Sequence, residues 1–513
     1  MLMKINRPHL FLILLSIIGL LLAACETQTT APASSSGIVS APTATVPVVS
    51  PMPTRPAYKP GELVEYIAQT GDTLPAIAAH FNTTIDEIMA ANPIIPTTAT
   101  TMPPGFPMQI PIYYRDFWGS PYRIIPDSLF INGPAAVGFD TETFVGEWPG
   151  WLKNYVGFAA GETRSGAQIV DYVAGNFSVS PRLLLALLEY QSGALSQSIL
   201  SPEKEQYPLG HRSRSHQGLY LQLVWAANQL NDGYYNWRTG DLTEYDRSNG
   251  RLEVIDPWQN AATASLHVYF NQALPASEFD YAVSAEGFGR AYAQLFGDPW
   301  ENPVAHIEGS LEQPPMRLPF EPGKSWAHTG GPHTGWGSDA PYAALDFAPP
   351  SVIGGCFYSD QWATAVADGL VVRVDTGIVV LDLDEDGDER TGWVIFYLHV
   401  STEGRVPLGA RLKAGDRIAH PSCEGGTSTG SHVHVARKYN GEWMVADSAL
   451  PFVMEGWVPQ AGEGPYEGSL TRFQRTVNAC ECSTFDSQLV SQGTFDGFPA
   501  EPVDSPTEEA QQP

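Results

Sequence analysis

Basic residues are scarce in this chain of 513 residues. Lys and Arg total 28 against 56 Asp and Glu, which gives a formal charge of −28. Binding of nucleic acid depends on cations that release counterions from phosphates, so this composition argues against a nucleic-acid partner. It also argues against electrostatic docking on anionic lipid, which needs clusters of Lys and Arg. Hydrophobic residues make up 43%, which is enough for packed cores and excludes disorder of the whole chain.

Cysteine is also rare, with five residues, and no Cys-x-x-Cys pair is present. This absence excludes a zinc ribbon. Cys356, Cys423, Cys480 and Cys482 lie near the C-terminal end, and four cysteines in an oxidising compartment allow three disulfide pairings. We predict a Cys356–Cys423 bridge for one pair.

Long apolar runs are missing except at the N-terminus. There, Leu10–Leu22 is shorter than the roughly 20 residues of a membrane span, and with a preceding basic stretch it predicts a signal peptide over residues 1–24. The sequence Leu-Ala-Ala-Cys resembles a bacterial lipobox and implies lipidation of Cys25; the alternative is a plain signal peptide with a chance cysteine. We predict an exported protein, lipid-anchored to the cell membrane and facing the cell wall. Residues 25–60, rich in Pro, Ser and Thr, predict an extended tether.

Residues 62–112 have the pattern of a β-α-α-β unit. Two predicted strands flank two predicted helices, and Thr84 with Glu87 forms a capping box at the start of the second helix. The ordered motifs resemble a LysM module: Thr70-Gly71-Asp72-Thr73-Leu74, Ala91-Asn92-Pro93 and Ile110-Pro111. The resemblance implies binding of N-acetylglucosamine-containing glycans such as peptidoglycan through Gly71, Asp72, Thr73 and Asn92. The Pro- and Thr-rich insert at 94–104 departs from the family pattern in a predicted binding loop.

Residues 113–312 predict a mainly helical middle domain. Apolar periodicity indicates helices at Pro181–Gly193, Gly218–Leu230, Ala261–Ala273 and Gly287–Phe296. The first is similar to the catalytic helix of lysozyme-like transglycosylases, where a Glu-Ser pair follows the apolar run. Here Gln191 replaces that Glu, and an amide cannot act as a general acid. A structural or wall-positioning role is therefore favoured, with Glu189 as the alternative acid.

Residues 313–466 predict a mainly-β domain with an antiparallel sheet and a metal site. Side chains alternate along a strand, so His432 and His434 point to one face. With a further His and Asp346 they offer the nitrogen and oxygen ligands that Zn²⁺ prefers. A catalytic zinc takes three protein ligands, so the surplus groups are predicted to act as acid or base.

The same residues resemble the M23 zinc endopeptidases of the LytM, lysostaphin and staphylolysin type. The matching motifs are Gly-Pro-His333-Thr, Leu-Asp346-Phe, Tyr-Leu-His399 and Gly-Thr-Ser-Thr-Gly-Ser-His432-Val-His434. The resemblance implies that His333, Asp346 and His434 bind zinc and that His399 and His432 are catalytic. One of the two would be the general base for the attacking water and the other would stabilise developing charge.

We therefore predict a zinc-dependent endopeptidase that hydrolyses peptide bonds in peptidoglycan stem peptides or cross-bridges. The alternative is a non-catalytic wall-binding regulator of other hydrolases, which missing ligands would favour; none is missing. A glycosidase activity through Glu189 is a third hypothesis. The acidic turn at 382–388 lacks the final Glu of a calcium loop, and the acidic, Cys-containing tail at 467–513 is expected to be disordered beyond 483.

Overall fold

The computed structural model describes residues 55–481 and 484–495. The predicted signal peptide, Cys25 and most of the predicted tether lie outside these residues, as does Cys482. Within the described ranges, no helix combines the length and apolar character that a membrane span requires.

The first unit has the predicted β-α-α-β order. Its elements are β1 (Glu62–Ile67), α1 (Leu74–His80), α2 (Ile85–Ala91) and β2 (Pro107–Ile112). The strands pair antiparallel, with Glu62 opposite Ile112. The predicted capping box is confirmed, because the Glu87 N–H donates to Thr84 Oγ1 at 3.2 Å and the Thr84 N–H donates to the Glu87 carboxylate at 3.2 Å.

The middle region is mainly helical, as predicted, with two short hairpins. Its elements are α3 (Asp127–Phe130), α4 (Thr141–Glu147), β3 (Val156–Ala159), β4 (Glu162–Ser165), α5 (Gly166–Phe177), α6 (Pro181–Ser192), α7 (Pro202–Gln206), α8 (Leu219–Thr239), β5 (Glu244–Asp246), β6 (Leu252–Val254), α9 (Ala261–Ala273), α10 (Ala276–Ala282) and α11 (Phe288–Phe296). Helix α8 continues past the predicted end at residue 230, through Asn231 and Gly233. Asn231 donates to the Phe177 carbonyl at 2.9 Å, and a Cβ on Gly233 would lie 2.8 Å from the Ser265 backbone. Close packing against α5 and α9 therefore outweighs the poor helix propensity of these residues.

The C-terminal region is built of strands, as predicted. They are β7 (Ser325–Thr334), β8 (Tyr342–Ala348), β9 (Ala363–Thr364), β10 (Gly369–Asp375), β11 (Ile378–Asp382), β12 (Trp393–Leu398), β13 (Arg411–Leu412), β14 (Arg417–Ala419), β15 (Val433–Tyr439), β16 (Glu442–Trp443), β17 (Val458–Ala461), β18 (Gly468–Arg472), β19 (Arg475–Asn478) and β20 (Gln488–Val490). The main antiparallel sheet has the order β13-β10-β11-β12-β15-β8-β7-β20, with β16 paired to β15. The expected disorder after residue 483 is not found for 484–495, because β20 hydrogen-bonds to β7 and buries Leu489.

The two faces of this sheet are buried against different partners. Leu345, Phe347 and Val435 belong to the core of the C-terminal region itself. The alternate residues Ala344 and Ala436 pack in one cluster with helices of the middle region. Because Asp346 and His434 lie two residues from these alanines, their side chains share the face that the middle region partly covers.

Candidate metal centre

Strand pairing brings Asp346 and His434 together. Asp346 on β8 lies directly opposite His434 on β15, so both side chains project from neighbouring positions on one face. His333 comes from β7, whose pairing with β8 is irregular between Gly330 and His333. This irregularity redirects the His333 ring, as bulges commonly do beside functional sites.

The three side chains converge on one buried point. His333 Nε2 lies 3.2 Å from Asp346 Oδ1, and His434 Nδ1 lies 3.3 Å from the same oxygen. The two imidazole nitrogens are 3.0 Å apart. His333 is 1% exposed, and Asp346 and His434 are 5% exposed.

In each of these histidines one ring nitrogen faces the other two side chains (the inner nitrogen) and one points away from them (the outer nitrogen). The hydrogen bond of the outer nitrogen determines the tautomer. His333 Nδ1 lies 2.7 Å from the Gly331 carbonyl, and His434 Nε2 lies 3.1 Å from the Gly335 carbonyl. A carbonyl only accepts, so each outer nitrogen carries the hydrogen and each inner nitrogen presents a lone pair. Asp346 Oδ1 is buried without a hydrogen-bond donor. Three acceptors that face one another fit a cation, and this group could hold a metal ion.

The electrostatics favour the ligating protonation states of Asp346 and His434, while the Asp346 carboxylate raises the pKa of His333 against the effect of burial. Burial acts to raise the pKa of Asp346, but electrostatic interactions with the His333 and His432 rings outweigh it and hold that pKa well below its usual range. Burial lowers the pKa of His434. An ionised carboxylate beside a neutral imidazole is the ligating form of both side chains.

His399 and His432 lie beside this group, with ring centroids 4.6 Å apart. His399 Nδ1 donates to the Glu424 carbonyl at 2.9 Å, and His432 Nδ1 donates to the Gly430 carbonyl at 2.8 Å. The Nε2 atom of each ring therefore bears a lone pair. Burial, together with His432 and His434, lowers the pKa of His399 to about 4. The five residues singled out from the sequence thus share one site.

An open cleft of about 540 Å³ leads to these side chains. Its walls include the loops 351–357 and 427–431, which hydrogen bonds between Ser431 and the Phe357 backbone connect. The predicted Cys356–Cys423 disulfide is present and links the first loop to the segment that precedes the second. Sequence reasoning assigned no role to Tyr466 or Glu481, which also line the cleft. The Tyr466 ring stacks on His333 with centroids 4.1 Å apart. Tyr466 lies in a Gly-Pro-Tyr turn without a periodic pattern, so no signal in the sequence connected it to the site.

The residues predicted to bind glycan make intramolecular contacts. Asp72 accepts hydrogen bonds from the Tyr66 hydroxyl and the Gln69 N–H, both at 2.7 Å. Asn92 links α2 to β2 through the Gln109 backbone at 2.7 and 2.9 Å. The remaining two residues lie in the β1–α1 loop: Thr73 is the N-cap of α1, and Gly71 faces the Arg238 guanidinium.

Glu189, the alternative acid, has a structural role at the end of α6. Its carboxylate accepts hydrogen bonds from the N–H groups of Leu195 and Ser196, at 2.8 and 3.1 Å. These contacts hold the turn that follows the helix. Gln191 donates to the Tyr269 hydroxyl at 3.0 Å.

Comparison with known proteins identifies the regions of the chain. The model of the LysM domain matches residues 66–111, and the model of the LasA N-terminal domain matches residues 123–310. Protease LasA of Pseudomonas aeruginosa (strain UCBPP-PA14) is 26% identical over 342 residues, which cover 63% of this chain and 75% of LasA. Beta-lytic metalloendopeptidase of Lysobacter enzymogenes is 27% identical over 165 residues, which cover 32% of this chain and 89% of that protein.

The chain carries a LysM domain and an M23-type metalloendopeptidase domain. A solved structure of the M23 metalloprotease pseudoalterin is 25% identical, covers 32% of this chain and 94% of that chain, and has a TM-score of 0.28. The LysM domain corresponds to the β-α-α-β unit, and the M23-type domain to the C-terminal sheet with its His-Asp-His group. The prediction of a metalloendopeptidase is confirmed.

Proposed function

We propose that the protein is a zinc-dependent endopeptidase that hydrolyses peptide bonds in the stem peptides or cross-bridges of peptidoglycan. The observation that carries this proposal is the convergence of His333 Nε2, Asp346 Oδ1 and His434 Nδ1 beside His399 and His432. The relatives named protease and metalloendopeptidase support peptide hydrolysis. The non-catalytic alternative has no observation in its favour, because all five residues are present and adjacent.

His333, Asp346 and His434 would hold the zinc, which when bound polarises a carbonyl and lowers the pKa of water. One of His399 and His432 would act as the general base on the attacking water, and the other would stabilise the developing charge. Each ring has its Nδ1 hydrogen fixed on a backbone carbonyl, so in the ring that is the base Nε2 accepts the proton. The imidazolium formed can then donate that proton to the leaving amine.

The other parts of the chain would position this site on its substrate. The LysM domain would bind the glycan strands, with Gly71, Asp72, Thr73 and Asn92 as the residues proposed for that role. A lipid on Cys25 would anchor the protein to the membrane, facing the wall.

The proposal is tested with purified full-length protein and isolated peptidoglycan. We expect about one zinc per chain, in line with a single three-ligand site, and soluble muropeptides that carry new amino and carboxyl ends. His434→Ala should lose both the zinc and the release of muropeptides. His216→Ala, in the middle region and outside the cleft, is the matched control and should behave as wild type.

Mass spectrometry of the released fragments separates the hypotheses. New peptide ends with unchanged sugar ends support the endopeptidase. New sugar ends that persist in His434→Ala would indicate a glycosidase instead. Zinc-loaded wild-type protein that releases nothing from any peptidoglycan refutes the proposal and favours the regulator.

A further inference from the structure

A segment of the chain lies between two loops of the LysM domain. This segment, residues 306–311, leads from the middle region to the M23-type domain and is called the connector below. One loop, residues 68–73, joins β1 to α1 and contains three of the four residues proposed to bind glycan. The other, residues 92–106, contains the Pro- and Thr-rich insert that departs from the LysM pattern.

The first loop binds the connector through one threonine. Thr70 Oγ1 accepts a hydrogen bond from the Ile307 N–H at 2.9 Å. The same hydroxyl donates to the Ile307 carbonyl at 3.1 Å. Both backbone groups of Ile307 are therefore satisfied by the β1–α1 loop.

The second loop binds the other end of the connector. Thr101 Oγ1 accepts from the Leu311 N–H at 3.0 Å and donates to the Glu308 carbonyl at 2.7 Å. The Thr101 carbonyl accepts from the Ser310 N–H at 2.8 Å, and the Thr100 hydroxyl donates to the Leu311 carbonyl at 2.7 Å. The insert thus supplies the hydroxyl groups that hold this end.

The fit between the connector and the second loop is close. Ile307 and Leu311 are 1% and 2% exposed. A Cβ on Gly309 would lie 2.5 Å from Pro103 Cα, so only glycine allows this approach. The connector therefore occupies the space between the loops as a bound peptide would.

The LysM domain is also docked at a second place, which does not involve the connector. The His80 ring stacks on Trp237 at the end of α8, with centroids 3.6 Å apart. His80 Nε2 lies 3.0 Å from the Trp237 carbonyl, and Gly240 faces Ala79. Displacement of the connector would leave this contact in place.

We propose that the connector is an internal ligand of the LysM domain and competes with N-acetylated glycan for the two loops. An acetamido sugar offers an amide N–H and a carbonyl, which are the kinds of group that Thr70, Thr100 and Thr101 bind in the connector backbone. Glycan binding and connector binding therefore exclude each other, and glycan frees the segment that enters the M23-type domain. This inference rests on the proposed glycan binding by the LysM domain.

The test weakens the binding of the connector to the LysM domain without changing any residue of the two loops. In full-length Gly309→Ala, the new methyl group collides with Pro103 and expels the connector. We expect this variant to bind an N-acetylglucosamine tetramer at least tenfold more tightly than wild type in titration calorimetry. Gly146→Ala is the matched control, because a Cβ at Gly146 meets no atom within 4 Å, and it should bind as wild type does.

Hydrogen exchange on the wild-type protein gives a second measurement that needs no variant. Saturating tetramer should speed exchange of the Ile307 and Leu311 amides at least tenfold and leave amides of α8 unchanged. Equal sugar affinity in Gly309→Ala and wild type, no sugar binding by either, or unchanged exchange at saturation would each overturn the proposal. Loss of muropeptide release in His434→Ala is measured separately, so the endopeptidase proposal can stand when this one fails.

Discussion

Glu442 connects the M23-type domain to the middle region at a buried point. This residue of β16 is 5% exposed. Its carboxylate lies 3.1 Å from Arg238 Nε, 2.6 Å from His306 Nε2 and 2.7 Å from the Tyr234 hydroxyl. Arg238 and Tyr234 belong to α8, and His306 begins the connector. We expect Glu442→Gln to loosen the whole junction.

The contacts of Glu442 allow the expected decrease in the free energy of unfolding to be estimated. Removal of one partner from a buried ion pair costs about 3–5 kcal/mol, because the other charge stays buried without compensation. Arg238 keeps a second carboxylate, Asp127, at 3.2 Å. We therefore expect the lower end, a decrease of about 3 kcal/mol in the free energy of unfolding. Tyr234→Phe removes a single hydrogen bond to Glu442 and should cost about 1 kcal/mol.

The effect should depend on pH with a defined sign. Burial acts to raise the pKa of Glu442, but Arg238 and His306 outweigh it and lower the pKa from 4.5 to about 2. A lowered pKa stabilises the folded state fully above the unfolded-state value and loses this contribution as pH falls through the folded-state value. The lowered pKa contributes about 3 kcal/mol to the free energy of unfolding. The difference in the free energy of unfolding between wild type and Glu442→Gln should therefore shrink as the pH falls from about 5 to about 2.

The assay is guanidinium unfolding followed by tryptophan fluorescence at pH 7 and pH 3. Metal-free protein with chelator is used at both values, so that loss of metal in acid does not contribute. The reasoning is refuted if the unfolding free energy of Glu442→Gln lies within about 1 kcal/mol of wild type at pH 7. A difference of the same size at both pH values would refute the pKa argument alone.

Three further predictions concern the site and its surroundings. Gly330→Ala should weaken zinc affinity about 10–100-fold in chelator competition, because its Cβ would lie 2.8 Å from Asp346 Oδ2. Replacing Cys356 and Cys423 by serine should lower the free energy of unfolding by about 2–4 kcal/mol in denaturant titrations, because the bridge closes a loop with a sequence separation of 67 residues. Glu189→Gln should lower the free energy of unfolding by about 1 kcal/mol and leave muropeptide release unchanged, because the carboxylate holds the turn after α6.

Each of these predictions has a control or a contrary outcome. Gly146→Ala should keep wild-type zinc affinity. If Gly330→Ala also binds zinc as tightly as wild type, the predicted clash between its Cβ and Asp346 is contradicted. The double serine variant should still bind zinc, because neither cysteine belongs to the ligand group. A Glu189→Gln protein that has lost cleavage of sugar linkages present in wild-type digests would restore Glu189 as an acid.

Local patterns predicted much of the fold. The capping box at Thr84 and the helix at Ala261–Ala273 depend on neighbours within a few residues, and the structure contains both. The end of α8 was not predictable in this way. Its continuation through Asn231 and Gly233 depends on contacts with Phe177 and Ser265, which are distant in the sequence.

The ordered His and Asp motifs singled out the five residues of the site, because each motif is a short local context and their order along the chain is readable. Their convergence depends on strand order: β7, β8 and β15 are neighbours in the sheet although the chain visits six other strands between β8 and β15. The stacking of Tyr466 on His333 and the cover of the LysM loops by the connector likewise join residues far apart in sequence. The sequence by itself determined which side chains carry the chemistry, since residue type and local spacing set ligand and acid-base capacity. Only the tertiary structure decided which of them meet, because long-range pairing and burial have no local signature.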